Sequence, residues 1–180
     1  MNHIRQETEA EYSTVGALLA AAFRDDPQSD QTEPQLVARL RRSAAFSSEL
    51  SLVAERDAQV LGHILLTKVH IVNGEQRTMV LSLAPVSVLP DFQRQGIGTA
   101  LIERAHVIAT ELGYSVVVLL GHADYYPRFG YEVSEQYGIR FPFEVPAIYC
   151  MAKALKPGAL EGIPGLIEYP PAFFDPMHEV

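Results

Sequence analysis

Residues 91–101 read DFQRQGIGTAL: Asp91, Phe92, Gln93, Arg94, Gln95, Gly96, Ile97, Gly98, Thr99, Ala100 and Leu101. Polar and basic residues lead into two glycines spaced two apart, and a helical pattern begins at once. Ile97, Ala100, Leu101, Ala105, Ile108, Ala109 and Leu112 recur on one face, and Gly113 ends the helix. Before the stretch, RTMVLSLAPVSV (77–88) reads as a strand; after the helix, SVVVLLG (115–121) is a short apolar run of the kind buried on both faces of a sheet. Strand, crossover helix and strand make a βαβ unit, so these two strands should pair in parallel. A helix start carries four unpaired N–H groups and a partial positive charge. Without side chains at Gly96 and Gly98 a bulky anion can reach that backbone, which makes the stretch a candidate pyrophosphate seat. Two glycines at a strand–helix junction also serve as a plain turn. The P-loop lysine is missing, and Leu101 stands where the third glycine of the dinucleotide fingerprint belongs.

Working outward, Thr8 and Glu11 fit a capping box, followed by Tyr12, Val15, Leu18, Leu19, Ala22 and Phe23 at helical spacing. RDDPQSD (24–30) breaks that helix, and Thr32, Pro34 and Gln35 open a second with Leu36, Val37, Leu40 and Ala44 on its apolar face. SLVAER (51–56) and QVLGHILLTKVHIV (59–72) read as strands joined by a tight turn at Asp57-Ala58. Asn73-Gly74 signals a hairpin with a type I′ turn, positive φ at both central residues. Pro85 cannot donate to a ladder, so its strand should bulge or part from a neighbour there. ADYYPRFGYEV (123–133) reads as a short helix before a strand, and a further strand covers about 147–155. The order is that of a mixed α/β sheet, not the repeated βαβ of a dinucleotide-binding domain.

The 180 residues suit one domain with a substantial core, and 48% hydrophobic with 20% charged residues argues against disorder. A formal net charge of −8 disfavours a nucleic-acid binder. The lone Cys150 permits no internal disulfide and suits a reducing cytoplasm. The polar, acidic start is not a signal peptide, and no apolar run approaches the ~20 residues that cross a bilayer. The histidines show no metal-ligand spacing, so no metal is expected.

VSVLPDFQRQGIGTALIERA (86–105) resembles the acetyl-CoA-binding motif of the GNAT superfamily of N-acetyltransferases, whose Gln/Arg-x-x-Gly-x-Gly/Ala pattern is met by Gln93, Gly96 and Gly98 after Val88-x-Pro90. YYPRFGY (125–131) resembles its second signature through Tyr126, Gly130 and Tyr131. The C-terminal PGALEGIPGLIEYPPAF resembles a bacterial subgroup, the YhbS-like proteins. The resemblance implies a GNAT-type fold over residues 1–155: a central mixed, mostly antiparallel sheet of about six or seven strands with a splayed parallel central pair, and about four helices. Residues 156–180 then form a proline- and aromatic-rich extension packed on the domain or on a partner subunit of a homodimer.

The activity implied is transfer of acetyl from acetyl-CoA to a primary amine, on a small molecule or a protein, by direct attack through a tetrahedral intermediate. The pyrophosphate seat is then Gln93, Arg94, Gln95, Gly96, Ile97, Gly98 and Thr99, the pantetheine strand Val86, Ser87 and Val88, and the acid for the departing thiolate Tyr126. Many relatives carry a glutamate on the motif strand, but 79–88 holds no acid and only Ser82 and Ser87 as hydroxyls. His122 and Asp124 are candidate replacement bases, a water chain could also remove the proton, and Glu55 and Glu75 read as solvated strand residues. Arg94 and Arg128 are phosphate candidates because each belongs to a motif; Arg39, Arg41 and Arg42 read as a solvated face, and Cys150 as core. Asp25, Asp26 and Asp30 sit in the loop that relatives use for the acceptor, where acids would favour a cationic amine. The missing glutamate keeps a second reading open, a non-catalytic CoA-binding regulatory module, and a nucleotide or sugar-phosphate binder is a third.

Overall fold

The computed structural model describes residues 1–174. Among them are three α-helices, α1 (Tyr12–Phe23), α2 (Glu33–Arg41) and α3 (Ile97–Glu111). The strands are β1 (His3–Gln6), β2 (Ser51–Arg56), β3 (Gln59–Asn73), β4 (Gln76–Val88), β5 (Val116–Leu120), β6 (Glu132–Val133), β7 (Ile139–Arg140), β8 (Cys150–Ala154) and β9 (Gly165–Glu168). They pair in the order β1-β2-β3-β4-β5-β8-β6, with β9 beside β3 and β7. The pairs β4–β5 and β7–β9 are parallel; β1–β2, β2–β3, β3–β9, β5–β8 and β6–β8 are antiparallel. This is the mixed, mostly antiparallel sheet with the parallel crossover pair expected. Strands β1, β7 and β9 were not legible, because segments of two to four residues are too short to show a period. No helix of the described residues is long and apolar enough to cross a membrane.

Packing divides the described residues into two compact units, one of residues 1–67, 84–108 and 171–174, the other of 68–83 and 109–170. In the first, the Thr8 N–H donates to Glu11 Oε2 at 2.8 Å, closing the expected capping box ahead of α1. Thr32 occupies the N-cap position of α2 without a side-chain capping bond, and Pro34 lies in the first turn. Val15, Leu18 and Leu19 of α1 and Val37 and Leu40 of α2 bury against Val53 and Leu65 of the strands, with Phe173 at the margin. The β2–β3 turn carries positive φ at both Asp57 (52°) and Ala58 (61°), the type I′ requirement met without glycine. Helix α3 buries Ile97, Leu101, Ile102, Ala105 and Ala109 but leaves Leu112 out, since the helix stops at Glu111 and Gly113 (φ 93°) turns the chain away.

Beneath α2 lies a buried polar network. Arg41 pairs with Glu7 and stacks 4.0 Å from the Tyr12 ring centroid. Ser51 Oγ donates to Glu7 Oε2 at 2.6 Å, so its lone pair accepts from His63 Nε2 at 3.0 Å. That assignment places the imidazole proton on Nε2 and leaves Nδ1 as a buried acceptor without a protein partner. Burial first, then the Arg41 charge, lowers the His63 pKa to about 3. Of the three arginines read as a solvated face, Arg42 is exposed as expected, but Arg41 is committed inside and Arg39 Nε donates to Ala172 O at 3.0 Å. Nor is Glu55 simply solvated, since Arg5 Nε donates to it at 2.8 Å.

In the second unit, Val116–Leu119 of β5 are buried, and β5 lies between β4 and β8. The parallel ladder is Leu81↔Val117 and Ser82↔Val118, ending before Pro85 as a residue without an N–H requires. The β3–β4 hairpin exists, but its turn is not the expected type I′. Asn73 still belongs to β3, and of the two connecting residues only Gly74 (φ 60°) has a positive φ, so the pair of positive φ angles that a type I′ turn requires is not present.

Arg41→Met strands the Glu7 carboxylate and should cost about 3–5 kcal/mol, whereas E7Q/R41M together should cost less, as urea unfolding will read. As pH falls, unfolded His63 protonates near its ordinary value while the folded imidazole holds out to about 3. Its unfavourable effect is therefore absent above pH ~6.5 and grows on acidification from there toward pH ~3, at up to about 1.4 kcal/mol per pH unit. His63→Gln should flatten that limb of the stability–pH curve.

Candidate active site

After β4, residues Pro90–Phe92 make a 3-10 turn, and the chain reverses through 93–96 before α3 begins at Ile97. Arg94 (φ 59°) and Gly96 (φ 81°) are both left-handed. Left-handed residues alternating along a loop turn successive amides inward and form an anion-binding concavity. Ala100 N–H donates to Gly96 O at 3.0 Å, which leaves the amides of Ile97, Gly98 and Thr99 ahead of the helical ladder. A Cβ at Gly96 would meet nothing within 4 Å, so the glycine answers a conformational demand rather than a packing one. Arg94 holds the same region with a full side chain, at about 1–2 kcal/mol, the kind of local strain that clusters at ligand clamps.

Polar contacts brace the loop. Gln93 Nε2 donates to Val88 O (3.1 Å), Gln95 Nε2 to Asp91 O (3.3 Å), and Arg56 Nη1 to Gln95 Oε1 (3.5 Å). Gln93, Arg94, Gln95 and Gly96 are exposed, Gly98 and Thr99 partly so, and Ile97 is buried as the anchor. That anchor rests on Gly62 of β3. A Cβ there would stand 3.0 Å from both Leu101 Cδ1 and Ser87 O and 3.1 Å from Ile97 Cγ2. The sequence signal was an isolated glycine within a strand pattern, a mark of close approach.

The Leu89 N–H donates to Leu61 O at 2.9 Å, so Leu89 and, two residues back, Ser87 address β3. By the same alternation Val86 and Val88 direct their amides to the other edge of β4. The Ser87 hydroxyl is likewise turned to β3, donating to His63 O at 3.5 Å. Of the three motif-strand residues, Ser87 thus addresses β3, while Val86 and Val88 direct their amides away from it.

In the second unit, Tyr126 begins the 3-10 helix Tyr126–Phe129 and is 9% exposed. Its ring lies over Gly121, where a Cβ would come within 2.2 Å of Cε2, and makes edge contacts with Tyr125 (5.0 Å) and Tyr131 (5.8 Å). Burial, with a contribution from Tyr125, pushes its hydroxyl up to about 12. His122 serves the turn through its carbonyl, which accepts the Tyr125 and Tyr126 amides, while the His122 and Asp124 side chains are exposed. Arg128 is committed to the same turn: Nε donates to Tyr125 O at 2.9 Å and the guanidinium lies 4.5 Å from the Tyr125 ring centroid. Cys150 is a buried free thiol whose pKa burial raises. Ser82 is buried, and its hydroxyl bonds that of Tyr169, a residue that carried no signal in the sequence.

The acidic loop of the first unit is mostly self-engaged. Asp26 accepts the Gln28 amide at 2.9 Å, and Asp30 accepts the Thr32 amide and hydroxyl, bonds that lower its pKa. Among the described residues no three His, Cys, Asp or Glu side chains are grouped to hold a metal ion.

Gly62→Val should lift the amino end of α3 from β3 and lower stability by about 1–3 kcal/mol. Amide exchange should quicken first at Ile97–Leu101, and uniform exchange along α3 would refute the anchoring role.

The acetyltransferase (GNAT) domain profile matches residues 3–134. The uncharacterized N-acetyltransferase YjhQ of Escherichia coli K12 is 34% identical over 145 residues, which cover 80% of this chain and 76% of YjhQ. The uncharacterized N-acetyltransferase YhbS of the same strain is 32% identical over 167 residues, 92% of this chain and 95% of YhbS. A crystal structure of E. coli YhbS in complex with CoA superposes with a TM-score of 0.86 at 29% identity, covering 96% of this chain and 91% of that one. A GNAT family acetyltransferase from Brucella melitensis, crystallised with acetyl-CoA, gives 0.80 at 35% identity, covering 97% and 99%. The chain belongs to the GNAT acetyltransferase family.

Proposed function

We propose that this chain is an acetyl-CoA-dependent N-acetyltransferase that carries acetyl to the primary amine of a small molecule or protein. The observation that bears most weight is the pair of left-handed residues, Arg94 and Gly96, aiming amides ahead of α3. Relatives of similar length that bind CoA or acetyl-CoA support the reading. Acetyl-CoA supplies an activated thioester that an amine can attack directly. The amides of 94–99 receive the diphosphate, with the helix start adding partial positive charge. Gln93 fixes the loop from behind, Ile97 anchors it, and Arg94 offers an exposed guanidinium. Val86 and Val88 present backbone groups to the pantetheine arm. Tyr126 stays protonated throughout the neutral range and donates a hydrogen bond to the departing sulfur. A phenol with its pKa near 12 is a weak acid, so its main effect is to stabilise developing negative charge rather than to surrender its proton early.

Incubation with acetyl-CoA and a panel of primary amines should release CoA thiol. Tight acetyl-CoA binding without release across the panel favours the regulatory module, and no binding at all ends both readings. Gly96→Val, forced to φ 81° with a branched side chain, should weaken acetyl-CoA binding at least about tenfold. Tyr126→Phe should lower kcat about a hundredfold while acetyl-CoA affinity stays near wild type; unchanged turnover removes the role. Because the Tyr126 hydroxyl ionises only near pH 12, its deprotonation should not depress kcat between pH 7 and 10.

A further inference from the structure

Arg56 is the last residue of β2 and pairs with Gln59 at the start of β3. Two residues back, Ala54 pairs with Gly62, the glycine on which Ile97 and Leu101 of α3 converge. Alternate residues of a strand share a face, so Arg56 emerges on the α3 side of the first unit. There it meets the loop ahead of that helix.

Three neighbours hold the guanidinium. Nε donates to Asn2 Oδ1 at 2.9 Å, Nη1 donates to Gln95 Oε1 at 3.5 Å, and the Phe92 ring centroid lies 5.9 Å from Cζ. Gln95 itself stands between the left-handed residues Arg94 and Gly96, and its Nε2 donates to Asp91 O at 3.3 Å. Arginine and loop therefore brace each other. The two oxygens that Arg56 meets belong to neutral amides. Among the described residues, Arg5, Arg41 and Arg77 each pair with a carboxylate, whereas Arg56 has no carboxylate within ion-pair distance. A chain with a formal net charge of −8 thus keeps an uncompensated cation beside the loop whose amides form an anion seat.

We infer that Arg56 is a phosphate-binding residue, aiming its guanidinium at a phosphoryl group of the CoA seated on the 94–99 amides; the inference rests on the acetyl-CoA reading above. Two of the five guanidinium N–H groups are engaged, and the planar fork that remains matches phosphoryl oxygens. Asn2 and Gln95 are positioning residues that act through Arg56. They fix a long side chain in advance and so reduce the rotamer freedom it would lose on binding. Arg56 belongs to neither the glycine nor the tyrosine motif, and a single arginine closing a strand carries no signal in the sequence.

Calorimetric titration with CoA and 3′-dephospho-CoA tests this without an acceptor. Arg56→Gln should weaken CoA binding at least about tenfold, the scale of one charge-assisted contact, while circular dichroism stays that of wild type. An equal loss with both ligands identifies the diphosphate as the partner, and a loss confined to CoA identifies the 3′-phosphate; either supports the inference. Added salt should weaken CoA binding more steeply in wild type than in the variant, because one screened charge pair is gone, an effect that a merely structural role would not produce. If Arg56→Gln is unfolded, Arg56→Met, which keeps the apolar stem, takes its place with the same expectation. A folded variant that binds both ligands as wild type does, or that keeps the wild-type salt dependence, overturns the inference and leaves the acetyl-CoA reading standing. Failure of wild type to bind CoA overturns that reading instead.

Discussion

Everything at the amino end of α3 depends on how closely that helix lies on β3. Contact at van der Waals distance is possible because position 62 has no side chain: Leu101, Ile97 and the Ser87 carbonyl all converge on the space a Cβ would take. The buried Ile97 then holds the first turn, and the loop ahead of it cannot relax to an ordinary right-handed path. Arg94 and Gly96 keep their left-handed conformations because both ends of the loop are tied, one by Gln93 to Val88, the other by the helix. An anion seat made of amides needs such rigidity, since amides that must reorganise to meet a charge lose much of their electrostatic benefit.

The two units handle polar groups differently. In the first, charge is buried but fully engaged, Arg41 on Glu7 and Ser51 between Glu7 and a neutral His63. Such a network ties the end of β1, α2, β2 and β3 to one another. In the second, the buried polar groups include the phenols of Tyr126, Tyr131 and Tyr169 and the hydroxyls of Ser82 and Ser134. Desolvation keeps those phenols protonated. They remain hydrogen-bond donors at any physiological pH.

Much of the architecture was legible because the physics is local. Capping at Thr8 and Glu11, proline in the first turn of α2, the apolar run of β5 and the crossover between two strands all follow from neighbours within a few residues. The reading of α3 was off by the orientation of its end, Ile102 inside and Leu112 outside, because exposure of the last turn depends on where Gly113 sends the chain. The hairpin after β3 differed for a similar reason. Glycine at 74 was correctly read at positive φ, but Asn73 lies within the strand, which moves the turn one residue on, and Glu75 does not share the positive φ. The arginines of α2 looked solvated because helical spacing says nothing of a carboxylate more than thirty residues away.

By itself, the sequence determined that a strand, a glycine-bearing turn and an amphipathic helix follow one another, and that amides at the helix start could face an anion. Those are consequences of periodicity, of the missing Cβ and of the helix dipole. Only the tertiary structure decided that Val86 and Val88 turn outward while Ser87 turns to β3, that Arg94 shares the strained conformation, and that a tyrosine from residue 169 meets a serine at residue 82. These are contacts between distant segments, and the register that creates them is set by steric exclusion between backbones, at Gly62 and at Gly165, which no local pattern encodes.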